Sequence, residues 1–106
     1  MTVFEGREKA AEDKYSHDDE LNFKVNIRTH KLLGLWAAEL MHMNNTDAQA
    51  YADDIVQKDF NSSSENNIIA RILNDVSAVG VDITIDDVTD ELEHCRHIAH
   101  QQIYNN

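Results

Sequence analysis

The chain has 106 residues, enough for one domain of modest size, and its 20 acidic and 9 basic residues give a formal net charge of −11. A surface this acidic repels phosphate backbones and anionic lipids, so nucleic acid and membranes are poor partners, whereas a basic protein surface suits it. With one cysteine, no proline and three glycines, an internal disulfide is excluded and few residues interrupt a helix. We expect an all-α cytosolic protein without a signal peptide or a membrane span.

The first segment, residues 3–20, is rich in charge and poor in apolar side chains. Its apolar residues Phe4, Ala11 and Tyr15 fall at helical spacing but form only a narrow stripe. Short helices need tertiary packing to be stable in water. We therefore expect this segment to be a marginal or disordered helix when it is free.

Residues 21–43 continue the same helix without a strong breaker, and residues 31–41 are the most apolar run in the chain. Gly34 either weakens this helix or permits the close approach of another. The wide apolar face predicted for this part consists of Leu32, Leu33, Trp36, Leu40 and Met43.

A basic stripe of Lys24, Arg28 and Lys31 also follows this helix. It is either a solvated face that balances nearby acidic residues or a contact for an acidic partner patch.

Three further amphipathic helices follow, at about residues 46–60, 64–79 and 85–104. Their predicted caps are Thr46 with Gln49, Ser62 with Glu65 or Ser64 alone, and Thr84 with Asp87. Gly80 is predicted to end the third helix in a left-handed conformation. Their predicted core faces are Ala48, Ala52, Ile55 and Val56; Ile68, Ile69, Ile72, Leu73, Val76 and Val79; and Ile85, Val88, Leu92, Cys95, Ala99 and Ile103.

Helix lengths predict how these pieces are arranged. A helix over residues 3–43 runs roughly 60 Å, whereas the other three run roughly 22–30 Å. A four-helix bundle of that height covers only the second half of the first helix. We therefore divide the chain into an N-terminal arm, residues 1–20, which protrudes or is disordered, and a four-helix bundle, residues 21–106. A protruding charged arm with a narrow apolar line is suited to folding in the groove of a partner.

Catalytic and metal chemistry have little support. His94, His97 and His100 share a helix face and are weak candidates for a metal site, but Cys95 points to the opposite, core-facing side. Cys95 is better explained as a small core residue than as a nucleophile. The chain has no Gly-rich phosphate loop, and adjacent carboxylates on a helix do not converge. We predict a protein that is not an enzyme and needs no cofactor.

Several segments of the chain resemble the ATPase inhibitor zeta subunit family of bacterial F-type ATP synthases. The segments that carry the resemblance are residues 4–10 (FEGREKA), 14–18 (KYSHD), 21–24 (LNFK), 31–41 (KLLGLWAAELM) and 50–52 (AYA), with Val56, residues 58–60 and Glu65. The resemblance covers about residues 2–80, and beyond Gly80 it is one of pattern only.

The resemblance implies a four-helix bundle with an N-terminal inhibitory segment. That segment would enter a cleft between alpha and beta subunits, approach the gamma subunit and block rotation in the direction of hydrolysis. The contacts implied by position are Phe4, Arg7, Glu8, Lys9, Ala11, Lys14, Tyr15 and His17. The protein would then be a monomer when free, held at the inner membrane only through the synthase. The alternative is a small bundle, without inhibitory activity, that binds a ligand, a nucleotide or a metal through its histidine face or a pocket near Trp36.

Overall fold

The computed structural model describes the backbone of residues 2–59 and 65–105 and the side chains of residues 19–58 and 65–105. This part of the chain contains four helices: α1 (Thr2–Leu40), α2 (Asn45–Asp59), α3 (Glu65–Ala78) and α4 (Ile85–Tyr104). The connector at residues 81–84 forms no strand, and none occurs elsewhere in the described residues. The all-α prediction is confirmed.

Helix α1 is much longer than the helices beside it. Its 39 residues run about 58 Å at 1.5 Å per residue, whereas α4, with 20 residues, runs about 30 Å. The molecule measures 66 Å along its longest axis and only 24 and 22 Å across. The N-terminal part of α1 therefore extends beyond the bundle, as the helix lengths predict.

The core lies around the C-terminal half of α1. Leu33, Ala37 and Ala38 are fully buried in it, whereas Leu32 and Trp36 are only partly buried at its margin. The wide face predicted for α1 is thus confirmed at Leu33, and Leu32 and Trp36 pack against the core from its edge; the prediction omitted Ala37 and Ala38, which are also buried. The other helices contribute Ala52, Ile55, Ile68, Ile72, Val76, Val88, Leu92, Cys95 and Ala99.

Gly34 lies where α1 and α2 approach each other closely. A Cβ added at Gly34 would lie 2.9 Å from Ala52 Cα, 3.2 Å from Ala52 Cβ and 3.3 Å from Ile55 Cδ1. These separations are shorter than an ordinary carbon–carbon contact. The interpretation that Gly34 permits close helix approach is confirmed.

Helix α1 ends at Leu40, three residues before the predicted end. The amide of Met43 donates to the carbonyl of Ala38 at 3.1 Å, and that of His42 donates to Glu39 at 3.0 Å. His42 has a φ of 58°, so these bonds form a Schellman motif with a histidine in the left-handed position.

The start of α2 also differs from the prediction. Asn44 Oδ1 accepts a hydrogen bond from the Asp47 amide at 2.8 Å, and α2 begins at Asn45. Thr46 therefore lies inside the first turn and is not the cap. An asparagine at this position caps at least as well as a threonine, so the earlier residue takes the role.

The ends of α3 and α4 largely follow the predictions. Gly80 has a φ of 85°, and Thr84 with Asp87 forms the predicted capping box. Val79 and Ile85, placed on core faces by their spacing, are instead 57 % and 62 % exposed, because one follows the last residue of α3 and the other is the first residue of α4. The predicted caps Ser62 and Ser64 lie outside the described residues.

Among the described residues, no helix combines the length and the apolar character needed to cross a membrane.

Candidate partner-binding site

The predicted partner contacts all belong to the N-terminal part of α1. Their backbone is helical, and their side chains lie outside the described residues. These positions are Phe4, Arg7, Glu8, Lys9, Ala11, Lys14, Tyr15 and His17. The described structure shows instead how the base of the arm is attached to the bundle.

The last turns of α4 hold α1 through two polar contacts. The Tyr104 hydroxyl donates to Asn22 Oδ1 at 3.1 Å, and Arg28 Nε donates to Gln102 Oε1 at 2.8 Å. Each joins residues more than 70 positions apart in the chain. The C-terminal end of α4 is therefore fixed to α1 close to the predicted boundary between arm and bundle.

A carboxylate from α3 completes this attachment. Glu65 Oε2 lies 2.9 Å from His30 Nε2 on α1 and also accepts from Arg96 Nη2 on α4. Arg96 Nη1 donates to Asn26 Oδ1 at 2.8 Å. We call the contacts of Asn22, Asn26, Arg28 and His30 with Glu65, Arg96, Gln102 and Tyr104 the root contacts. They join α1, α3 and α4 along residues 22–30 of α1.

The charge on Glu65 is stabilised by this arrangement. Burial alone would raise the pKa of its carboxyl, but the hydrogen bonds from His30 and Arg96 outweigh burial and hold the pKa below its ordinary value. His30 is 7 % exposed, and its Nδ1 is buried without a hydrogen-bond partner among the described residues. The imidazole is therefore oriented by its single bond to Glu65.

The basic stripe on α1 is largely occupied by contacts within the chain. Lys24 lies 3.6 Å from Glu20, and Lys31 Nζ lies 3.5 Å from Asp53 Oδ1. Arg28 is engaged in the root contacts. The structure thus favours the interpretation that acidic residues of the same chain balance the charge of this stripe. It gives less support to the interpretation that the stripe binds an acidic partner.

The three histidines of α4 are exposed. His97 Nε2 lies 3.3 Å from Gln101 Nε2, and the His100 ring stacks on Tyr104 with 4.3 Å between centroids. No group of three or more histidine, cysteine or carboxylate side chains able to hold a metal occurs in the described part of the chain.

Cys95 is a core residue. It is 3 % exposed, and its Sγ lies 3.7 Å from Glu91 Oε1. Burial, and then the negative charge of Glu91, raises the pKa of the thiol to about 12. The reactive thiolate is therefore scarce at neutral pH, and Cys95 is unsuited to nucleophilic chemistry.

Reasoning from the sequence missed the root contacts. Asparagine, glutamine and tyrosine on exposed helix faces carry no periodic signal, and their partners lie far away in the chain. Of these residues, the sequence pointed only to Glu65, as a helix cap, and to Arg28, as part of the basic stripe.

Comparison with known proteins gives one match. A family model described as ATPase inhibitor subunit zeta matches residues 1–102. The match continues past Gly80, where the resemblance of the sequence was one of pattern only. No curated protein and no solved structure matches the chain. Because the family model covers nearly the whole chain, the protein belongs to the ATPase inhibitor subunit zeta family.

Proposed function

We propose that this protein inhibits ATP hydrolysis by the F-type ATP synthase, and that residues 1–20 do so by entering an interface between alpha and beta subunits and blocking rotation of the gamma subunit. Family membership supports an inhibitory role in general. The observation that carries the mechanism is the unequal length of the helices. The protein would act as a regulator without catalysis of its own.

The arm has the dimensions of an inserted segment. From Thr2 to Asn22, the outermost root contact, α1 contains 20 helical steps, which correspond to about 30 Å. A single helix is about 10–12 Å wide with its side chains, whereas the bundle measures 24 by 22 Å across. The arm is thus the part of the molecule narrow enough to enter a cleft between two subunits.

The sequence of the arm suits a partly apolar cleft. At 100° per residue, Phe4, Ala11 and Tyr15 fall within a sector of about 40° on a helix. We assign Phe4 and Tyr15 as apolar anchors, since buried aromatic side chains dominate the binding energy of many interfaces. Arg7 and Lys14 fall together on one flank of this sector, suited to pairing with acidic residues of the cleft.

The remaining proposed contacts are Glu8, Lys9 and His17. The partners are the alpha, beta and gamma subunits of the catalytic head, and the protein is a monomer when free. It would reach the inner membrane only through the synthase, from the cytoplasmic side.

The decisive experiment measures ATP hydrolysis by the catalytic head of the cognate synthase during titration with the protein. The full chain should inhibit to saturation near one molecule per head, and a chain lacking residues 2–19 should not inhibit. Circular dichroism of the shortened chain must show that the bundle is still folded. Equal inhibition by both chains would refute the role of the arm.

Adjacent residues provide a matched pair of point variants. Tyr15→Ala removes a proposed anchor and should weaken inhibition by roughly 30-fold, the loss typical of an aromatic hot spot of about 2 kcal/mol. Ser16→Ala removes a side chain about 100° away on the helix and should leave inhibition unchanged. Equal effects of the two would contradict the assigned face.

A further inference from the structure

The bundle has a second surface of interest at the end opposite the root contacts. An open groove there is lined by Trp36, Glu39, Leu40, His42 and Val81. It lies between the C-terminal end of α1 and the connector that joins α3 to α4. Trp36 and Val81 are only partly buried against the core, so apolar surface is accessible in the groove.

Exposed aliphatic side chains adjoin this groove in the chain. Val79 and Ile85, on either side of Val81, are 57 % and 62 % exposed. They are two of the four large hydrophobic side chains that are exposed in the described residues. Clustered exposed apolar side chains often mark an interaction surface, whereas single ones do not.

The charge around the groove is of one sign. Glu39, Asp82, Asp86 and Asp87 are all exposed at this end. The lining residues belong to two stretches of the chain, residues 32–57 and 72–95, that contain no lysine and no arginine. Glu39 therefore lies among the apolar lining residues, Asp82 follows Val81 in the chain, and these stretches supply no lysine or arginine to neutralise them.

We propose that this groove binds a basic segment of a partner protein that also carries apolar side chains. Lysine or arginine of the partner would pair with the bordering carboxylates, while its apolar side chains would cover Trp36, Val79 and Ile85. A second copy of the chain would bring like charges together, and an anionic ligand would be repelled. The proposal concerns a surface remote from the arm and does not depend on inhibition of the synthase.

The experiment uses the full-length protein and a synthetic amphipathic peptide of lysine and leucine as the probe. Binding is followed by Trp36 fluorescence and by backbone amide shifts in NMR spectra. The shifts should concentrate in residues 36–42 and 79–87. Shifts spread over the other acidic faces of the bundle would overturn the proposal.

Two further peptides separate the apolar and the charged contributions. A peptide with serine in place of leucine retains the charge, and one with glutamate in place of lysine retains the apolar residues. Both should bind much more weakly than the probe. Equal binding of the serine peptide would mean general attraction to an acidic protein and would refute the groove.

Two double variants test whether Val79 and Ile85 contribute to binding of the probe. Combined Val79→Ser and Ile85→Ser should weaken binding of the probe by roughly five- to tenfold, since each removes part of the apolar area that binding buries. Combined Ala50→Ser and Ala70→Ser, also at exposed positions, should change it by less than about twofold. Equal affinities of the two double variants would refute the proposal. So would concentration-dependent shifts at the groove without peptide, because the occupant would then be a second copy.

Discussion

The contact between α1 and α2 at Gly34 leads to a prediction that opposes helix propensity. In an open helix position, replacing glycine by alanine stabilises a protein by about 0.8–1.0 kcal/mol. At Gly34 the new methyl group would lie 2.9 Å from Ala52 Cα, which belongs to the backbone and cannot rotate away. We therefore expect Gly34→Ala to destabilise the bundle.

The size of the effect follows from the two opposing contributions. An optimal carbon–carbon separation is about 3.5–4.0 Å, so α1 and α2 must move apart by roughly 0.5 Å or more, and packing around Ile55 must adjust. Overpacking of this kind costs about 1–3 kcal/mol. After the gain in propensity is subtracted, the middle of that range leaves a net loss of about 1 kcal/mol, or roughly 4–8 °C in Tm.

The assay is thermal and urea unfolding followed by circular dichroism. Ala70→Gly, at an exposed position of α3, measures how much the free energy of unfolding differs between alanine and glycine when packing is not involved. It should lower that free energy by about 0.8–1.0 kcal/mol. If Gly34→Ala raised the free energy of unfolding by the amount that Ala70→Gly lowers it, the tight approach of α1 and α2 would be refuted.

Three further predictions concern the caps and the ionisable groups. Thr84→Ala removes the capping box of α4 and should lower the free energy of unfolding by about 1 kcal/mol, whereas Thr89→Ala, within α4, should cost less. Cys95 should resist iodoacetamide in the folded protein and react after unfolding in urea, because burial raises the pKa of its thiol to about 12; equal rates would contradict its place in the core. The pKa of Glu65 is lowered in the folded state, so its contribution to stability is present above its ordinary value of 4.5 and is lost as the pH falls below it. Glu65→Gln should therefore lower the free energy of unfolding at neutral pH and make it fall less steeply as the pH is lowered. Urea titrations at several pH values would measure both effects.

The apolar spacing of the sequence predicts the helices and most of the core, and its errors lie at the ends. Val88 and Leu92 are buried as expected because they lie within α4, where neighbours cover every turn. Ile85 has the right spacing but precedes the first covered turn. The spacing of apolar residues predicts the direction in which a side chain points, but it does not predict where the neighbouring helix ends. The cap at Asn44 was missed for a related reason, since Asn44 and Thr46 are both good caps and only the fold selects one.

The candidate site is less accessible to reasoning from the sequence. The protruding arm follows from helix lengths alone, because 1.5 Å per residue holds for any helix. The root contacts do not follow from the sequence, because Arg96 and Asn26 are polar residues that meet only after α1 and α4 have packed. The groove at Trp36 was anticipated only as an unspecified pocket, and its acidic border depends on which chain ends come together.

The attachment of the arm has a geometric consequence for the proposed inhibitor. Because α1 passes without interruption from the arm into the bundle, the arm cannot advance farther than the first level at which the molecule widens. In the proposed complex, the distance from Thr2 to Asn22 would thus act as a molecular ruler of about 30 Å. Removing residues 18–21, or adding one helical turn at that point, would change the depth of the tip by about 5.4 Å while leaving the sequence of residues 2–17 intact.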